Sequence, residues 1–264
     1  MQASQPDDYA AHARFYDLEH ADYQEDIATY AGFASNAGRN GILELACGTG
    51  RVLVSLAAAG SRVTGVDLSP TMLSLARDKT RAAGLEKRVR LLHGDMQTVN
   101  LARRYGLVII GLNSLMHLAD QAAQLETLQN AARHLAPRGR LVIDLFNPDI
   151  ALPDAQQDGQ LFLHCLNVLP DGAHLLHFQS PKVDRAAQIV SMTNYYDEMP
   201  PDGRVRRHFS PFSLRYLSAG ELRLLLERAG LTVEALYGTY ELDPFAGDSP
   251  RLIAVASPTS PTRR

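Results

Sequence analysis

The sequence predicts a doubly wound α/β fold with a mostly parallel sheet and an antiparallel β insertion after the fifth strand. Three observations predict it. Five short apolar runs alternate with helical stripes between residues 42 and 146, the pattern of a parallel sheet covered on both faces and joined by right-handed crossovers. After Asn147-Pro148 the alternation stops, and turn-bounded runs at 161–169, 174–180, 188–196 and 204–215 read as antiparallel strands. Helical periodicity then returns at 218–229, and Leu231–Tyr237 and Leu252–Ala256 form a last antiparallel pair.

Element by element, residues 1–6 read as a loose terminus. Residues 7–36 carry Tyr9, Tyr16, Tyr23 and Tyr30 at intervals of seven, which on one continuous helix form an aromatic face packed on the domain. Asn40-Gly41 breaks that pattern. Ile42-Leu43-Glu44-Leu45-Ala46 is a buried strand followed by the turn Cys47-Gly48-Thr49-Gly50 and a helix with Val52, Leu53, Leu56 and Ala57 inward, stopped by Gly60. Arg62–Asp67 is the second strand. Ser69 caps the next helix, Pro70 opens it, and Met72, Leu73 and Ala76 form its stripe before Gly84. Val89–His93 and Leu107–Leu112 are the third and fourth strands. A helix over 121–135 turns inward on Ala122, Leu125, Leu128, Ala132 and Leu135, and Pro137-Arg138-Gly139 leads into the fifth strand, Leu141–Phe146. Asp171-Gly172 and Asp202-Gly203 mark turns of the insertion. Ser218 and Glu221 form a capping box for the last helix, which Gly230 stops. The tail 257–264 reads as mobile.

The 264 residues suit one large α/β domain with an embellishment, and 45% hydrophobic content is ordinary for a globular chain. A net charge of −3 without a basic run argues against non-specific nucleic-acid binding. Cys47 and Cys165 are too few for a disulfide framework and lack metal-ligand spacing, so no metal site is expected; Cys47 reads as a small filler of the turn. Asp7, Asp8, Asp17 and Glu19 leave no apolar core for a signal peptide, and no run of about 20 apolar residues could span a bilayer. A soluble cytoplasmic protein is the expectation.

The polar residues Glu44, Asp67, Asp95 and Asn113 all fall at or near the carboxyl ends of strands, where ligands bind in open α/β sheets. A glycine turn opening a helix usually attracts phosphate. Glu44 beside that turn disfavours a pyrophosphate and favours a ligand carrying positive charge and a ribose. S-adenosylmethionine, with its ammonium, sulfonium and ribose diol, has that chemistry. In this arrangement Glu44 accepts from the turn or from the ammonium, and Ala46, Gly48 and Gly50 bring backbone close to the ligand. Asp67, seventeen positions after Gly50, can take both ribose hydroxyls. Leu68 and Met72 sandwich the adenine, and Asp95 accepts its exocyclic amine with Met96 alongside. Each of these residues also has an ordinary structural reading; their spacing as a set carries the assignment.

Taken together, Glu44-Leu45-Ala46-Cys47-Gly48-Thr49-Gly50, Asp67, Gly94-Asp95-Met96 and the strand ending at Asn113 resemble the motifs of class I S-adenosylmethionine-dependent methyltransferases. The resemblance covers 40–150 strongly and 218–256 by topology, and implies a Rossmann-like seven-stranded methyltransferase sheet. Within that superfamily the chain is most similar to small-molecule N-methyltransferases of the glycine and amino-sugar type, through Phe15-Tyr16-Asp17, through His117 soon after the fourth strand, and through the antiparallel strands. It implies residues 1–40 as a helical lid that places Tyr16 near the methionine end of the cofactor. Residues 41–150 and 216–258 become the cofactor-binding core, and 151–215 an insertion serving as substrate, lid or oligomer surface. Methyl transfer needs an acceptor in line with the methyl group, exclusion of water and, where required, removal of a proton. His117 is the first candidate for base or acceptor orienter, with Tyr16 beside it; a structural role in Leu115-Met116-His117-Leu118 stays open. Asn147, Tyr195, Tyr196 and His208 are further pocket candidates. The expected acceptor is a small molecule, methylated at nitrogen on the resemblance alone, with S-adenosylhomocysteine as product, neither nucleic acid nor membrane as partner, and room for a homodimer.

Four other readings fit parts of the pattern. A nicotinamide dehydrogenase requires a third glycine where Leu53 stands. A nucleic-acid methyltransferase would grip a flipped base, and Asn113-Ser114-Leu115-Met116 lacks the Asn/Asp-Pro-Pro-Tyr pattern of such enzymes. An O-methyltransferase or a non-catalytic cofactor-binding protein would keep the same motifs.

Overall fold

The computed structural model describes residues 9–152, 154, 157–169 and 172–259. Residues 1–8 (with Asp7 and Asp8), Asp171 of the Asp171-Gly172 turn and the tail 260–264 lie outside the described residues.

Seven strands form the main sheet in the order β10-β11-β5-β4-β1-β2-β3, where β1 is Ile42–Leu45, β2 Val63–Asp67, β3 Val89–His93, β4 Tyr105–Ile110, β5 Leu135–Phe146, β10 Leu231–Tyr237 and β11 Arg251–Pro258. β1 through β5 run parallel, while β11 is antiparallel to both β5 and β10. β1 is buried along its whole length, as a central parallel strand with both faces covered must be. On one face lie α3 (Arg51–Ala58) and α2 (Glu25–Ala34), with Val52, Leu53, Leu56 and Ala57 buried as the periodicity predicts. The register places Leu45 beside Val66 and Asp67 beside His93. The glycine turn, Asp67 and Gly94-Asp95 therefore emerge side by side at one edge of the sheet. Gly106 allows the 3-10 turn Gly38–Asn40 to close on β4; a Cβ there would sit 2.0 Å from the Ala37 carbonyl oxygen.

The insertion is a separate four-stranded antiparallel sheet, β6-β7-β8-β9, with β6 Phe162–Val168, β7 His174–Asp184, β8 Ile189–Met199 and β9 Arg206–Arg215. It follows the short helix α6 (Pro148–Ala151) and leads into α7 (Ala219–Arg228).

Several expectations are corrected. Residues 7–36 do not form one helix: α1 (Ala10–Glu19) and α2 are separated at His20–Gln24, where the Tyr23 carbonyl accepts from Arg51 Nη1 at 2.6 Å instead of continuing a helix. α5 (Gln121–His134) buries Gln124, Thr127, Leu128, Asn130, Ala131 and His134, while Ala122 is exposed. Gln124 and Asn130 turn inward because they satisfy main-chain groups of neighbouring loops. Gln124 donates to Leu115 and Arg215 carbonyls, and Asn130 to those of Met96 and Val99. Ser218 does cap α7, accepting from Glu221 N–H at 3.2 Å, but the Glu221 carboxylate pairs with Arg215, Gln121 and Gln188 rather than closing a capping box. β5 already begins at Leu135, so Pro137-Arg138-Gly139 lies within it, and residues 257 and 258 belong to β11 rather than to a mobile tail. β4 ends at Ile110, leaving Gly111 and Leu112 in the turn that follows.

Candidate functional site

The glycine turn is built on left-handed backbone: Ala46, Gly48 and Gly50 have φ of 59°, 54° and 77°. Gly48 is open, since a Cβ there would meet nothing within 4 Å; one at Gly50 would lie 3.1 Å from Ala76 Cβ. The turn is fixed by Asp67, whose Oδ2 accepts from Gly48 N–H at 2.7 Å and whose Oδ1 accepts from Ser69 N–H at 2.8 Å. Glu44 is buried and its Oε2 has no hydrogen-bond partner. Burial pushes its carboxyl up to about 8 against the pull of Arg51, with Asp67 and Asp26 adding to the rise. Leu68, just past Asp67, exposes 55% of its surface although it is a large apolar residue. Met72 is buried, and its N–H is capped by Ser69. Asp95 accepts from the Gln97 N–H at 2.8 Å and is half-buried beside Met96, which Asn130 holds through its carbonyl.

A free carboxylate oxygen, an open glycine, a strand-end acid and an exposed apolar side chain converge here. They fit a ligand with an ammonium, a ribose and a flat aromatic ring. No predicted site residue lines the groove of about 680 Å³ at the hairpin joining β7 and β8, bounded by Asp158, Lys182, Asp184, Arg185, Ile189 and Ser191.

α1 lies across this constellation. Asp17 Oδ1 accepts from Thr49 Oγ1 at 2.7 Å and from Lys79, and Lys79 also donates to Thr49 at 2.8 Å. Tyr16 stacks on His20 and lies within the fields of Arg51 and Glu44; burial raises its phenol well above the usual range. At the other end of α1, the Tyr9 hydroxyl hydrogen-bonds His117 Nδ1. His117 sits in the 3-10 turn Ser114–His117 against Phe212, and burial lowers its imidazole to about 4. One helix thus reaches both the cofactor turn and the imidazole after β4.

A model of a methyltransferase domain matches residues 42–139, the span from β1 into β5 that carries this site. Residues 42–139 form a class I S-adenosylmethionine-dependent methyltransferase domain. Among relatives, the chain is 35% identical over 138 residues to a dTDP-3-amino-3,6-dideoxy-alpha-D-glucopyranose N,N-dimethyltransferase of Streptomyces fradiae, a match covering 50% of this chain and 52% of that protein. It is 27% identical over 234 residues to a dTDP-3-amino-3,4,6-trideoxy-alpha-D-glucopyranose N,N-dimethyltransferase of Streptomyces venezuelae, covering 86% and 92%. The chain thus spans about half the length of the first relative. The solved structure of the CcbJ methyltransferase from Streptomyces caelestis superposes with a TM-score of 0.79 at 27% identity, over 90% of each chain.

The remaining predicted residues of the methyltransferase fold divide sharply. Asn113 Oδ1 is spent inside the protein, accepting from Phe146 N–H at 2.7 Å and from Arg251 at 3.4 Å. Asn147 is buried, caps α6 and donates to the carbonyls of Gly247 and Ser249. Tyr195 faces away from α1, against Phe209 and Arg207, because neighbouring strand residues alternate in direction. Tyr196, the inward residue, stacks on Phe15 at 4.3 Å and bonds His12 at 2.7 Å; His208 lies 5.6 Å from the Phe15 ring. Cys47 is buried against Gly65, and burial keeps its thiol protonated.

Sequence reasoning gave no site role to Asp17, Lys79, Arg51, Asp26 or Glu19. Arg51 pairs with buried Asp26 and so ties α2 to the first turn of α3. The Glu19 carboxyl is pushed up to about 7 by burial beneath the antiparallel sheet, 3.1 Å from His177. Among the described residues, no cluster of metal ligands is present and no helix is long and apolar enough to cross a membrane.

Proposed function

We propose that the chain transfers a methyl group from S-adenosylmethionine to the amino group of a small molecule, with a nucleotide-linked amino sugar as the leading acceptor class. The observation that carries the reading is α1: the same helix contacts the cofactor turn through Asp17 and the imidazole of His117 through Tyr9. When bound, S-adenosylmethionine supplies a methyl group already activated as a sulfonium. Asp67 would hold the ribose hydroxyls, Glu44 the ammonium, and Leu68, with Met72 beneath it, the adenine, which Asp95 and Met96 would border. Ala46, Gly48 and Gly50 shape the backbone around it, and Asn113 fixes the turn behind it. Tyr16 closes the site from α1 and excludes water. His117 stays neutral at physiological pH and orients the acceptor nitrogen through Nε2, since Tyr9 occupies Nδ1. The inner face of the 151–215 insertion, with Tyr196 and His208, is the acceptor side. The amino-sugar class is supported by the named activities of the two Streptomyces relatives. The net charge of −3 supports an acceptor other than nucleic acid. A homodimer would cover the exposed Leu163, Leu166, Val168 and Phe209 of the insertion.

The test is a panel of amines, amino-sugar nucleotides, sugars and phenols assayed for S-adenosylhomocysteine release. Turnover confined to amines is the expected outcome; turnover of phenols or sugar hydroxyls alone would overturn the nitrogen assignment. Glu44 provides a test of the cofactor half. Its carboxyl is protonated at pH 7 in the free protein, and a ligand ammonium stabilises the ionised form. Binding should therefore release a proton from Glu44 at pH 7, and that contribution should fade as pH rises through about 8. Calorimetry in buffers of different ionisation enthalpy should find less proton release in Glu44→Gln than in the wild type. Equal release in both would remove Glu44 from the ammonium site.

A further inference from the structure

Asp144 is a lone acid inside the apolar run Val142-Ile143-Asp144-Leu145, and it is fully buried. Its Oδ1 accepts from Arg251 Nε at 3.0 Å and Nη2 at 2.6 Å. Its Oδ2 accepts from the Tyr30 hydroxyl at 2.9 Å, the Tyr240 hydroxyl at 2.8 Å and the Leu112 N–H at 3.4 Å, and its main-chain oxygen takes the Asn113 N–H at 2.9 Å. Tyr240 in turn accepts from the Tyr23 hydroxyl at 2.8 Å, so two tyrosines of the N-terminal segment end in this knot.

The knot closes on two consecutive residues with left-handed backbone, Leu112 at φ 44° and Asn113 at φ 65°, neither of them glycine. Such residues persist where their surroundings over-determine them, and they concentrate at functional sites. Here Asp144 fixes both N–H groups from below, while Asn113 Oδ1 is pinned by Phe146 N–H and Arg251. Tyr30 packs so tightly on the preceding residue that a Cβ on Gly111 would lie 2.9 Å from its hydroxyl. The chain leaves this turn directly into Ser114–His117, whose Met116 N–H bonds the Asn113 carbonyl at 2.8 Å. A buried ion pair is by itself weak grounds for stability. This one is aimed at a strained turn at the ligand end of the sheet, a place where geometry rather than stability is at stake.

We propose that Asp144, with Arg251, is a positioning residue that sets the Leu112–Asn113 turn and thereby aims the His117 ring against Tyr9 and Phe212. It extends the assignment of His117 to the acceptor side, but its test needs no acceptor and no turnover. Nitrogen-15 histidine side-chain NMR on the whole chain, with the His117 signal identified by its loss in His117→Ala, reads the ring directly. In the wild type, His117 should show a single neutral tautomer that titrates near 4. In Asp144→Asn the His117 signal should broaden or split, and its midpoint should move by a unit or more, a tenfold change in proton affinity, toward the ordinary histidine value. A His117 signal and midpoint unchanged in a folded Asp144→Asn protein would overturn the proposal and leave Asp144 as part of the core alone.

Asn113→Gly keeps the test decisive where Asp144→Asn fails to fold. Glycine relaxes the left-handed backbone but removes the Oδ1 anchor, so a stability role and a positioning role predict opposite results. Unchanged or higher Tm with a broadened His117 signal is expected. A sharp, wild-type His117 signal in Asn113→Gly would overturn the proposal.

Discussion

Replacing Asp67 with alanine should weaken S-adenosylmethionine binding by at least about 100-fold. In the free protein this carboxylate holds two main-chain N–H groups, those of Gly48 and Ser69, at 2.7 and 2.8 Å. In the proposed site, bound S-adenosylmethionine would add its ribose hydroxyls to the same two oxygens. Hydrogen bonds to a charged group contribute about 1.5–3 kcal/mol each, so losing two costs about 3–6 kcal/mol, or two to four orders of magnitude in Kd. The glycine turn also loses its brace in Asp67→Ala. Asp67→Asn keeps the shape without the charge and should fall between the two. Titration calorimetry with S-adenosylmethionine measures this directly, and a Kd within a few-fold of the wild type in Asp67→Ala would sink the site.

Removal of the imidazole in His117→Ala should lower kcat by about 100-fold or more, the usual scale for a positioned acid–base or orienting group, with the cofactor Kd unchanged. The ring lies at the end of α1 away from the Asp17–Thr49–Lys79 contacts, so the cofactor turn stays intact. Burial holds the imidazole at about 4, below its ordinary value. Its neutral form is therefore complete above about pH 5, and a limb of the kcat profile between pH 6 and 7 would belong to another group. Rapid-quench measurement of a single turnover, with the acceptor that the panel identifies, separates chemistry from product release. Wild-type single-turnover rates in His117→Ala would take the residue out of the mechanism.

The strand-end residues were legible because each lies at or near the end of an apolar run of the right length, so their position in the sheet follows from the period alone. Glu44, Asp67 and Asp95 meet at the carboxyl edge as their spacing requires. The four tyrosines 9, 16, 23 and 30 were legible as a set but not in their partners. An aromatic packing face was expected, whereas Tyr9, Tyr23 and Tyr30 each spend a hydroxyl on a distant polar group. Those partners are 108 to 217 positions away, and no local period encodes such a distance. On α5 Leu128, and Leu135 just after it, are buried and Leu125 and Ala132 pack on the core as expected, with Ala122 the exception; the buried polar residues were missed, because Gln124 or Asn130 looks like a surface residue until the carbonyls it satisfies are known. Asp144 did carry a signal: a single acid within an otherwise apolar strand must have partners.

The antiparallel sheet leaves the core at Asn147 and returns at Arg215. Both residues are nailed down there, Asn147 to the Gly247 and Ser249 carbonyls and Arg215 to Gln124, Gln188 and Glu221. Its distal hairpin at Gly203 hangs free of those two anchors, and the match to the methyltransferase domain ends at residue 139, before it begins. Between these anchors the inner face is also tied down: Tyr196 stacks on Phe15 of α1, and Val190 and Leu214 enter the main core. The outward residues Tyr195 and Phe209 pack on each other and on Arg207 and can change without disturbing those ties. Any exchange of the inner residues must carry α1 with it, because the same helix also touches the glycine turn.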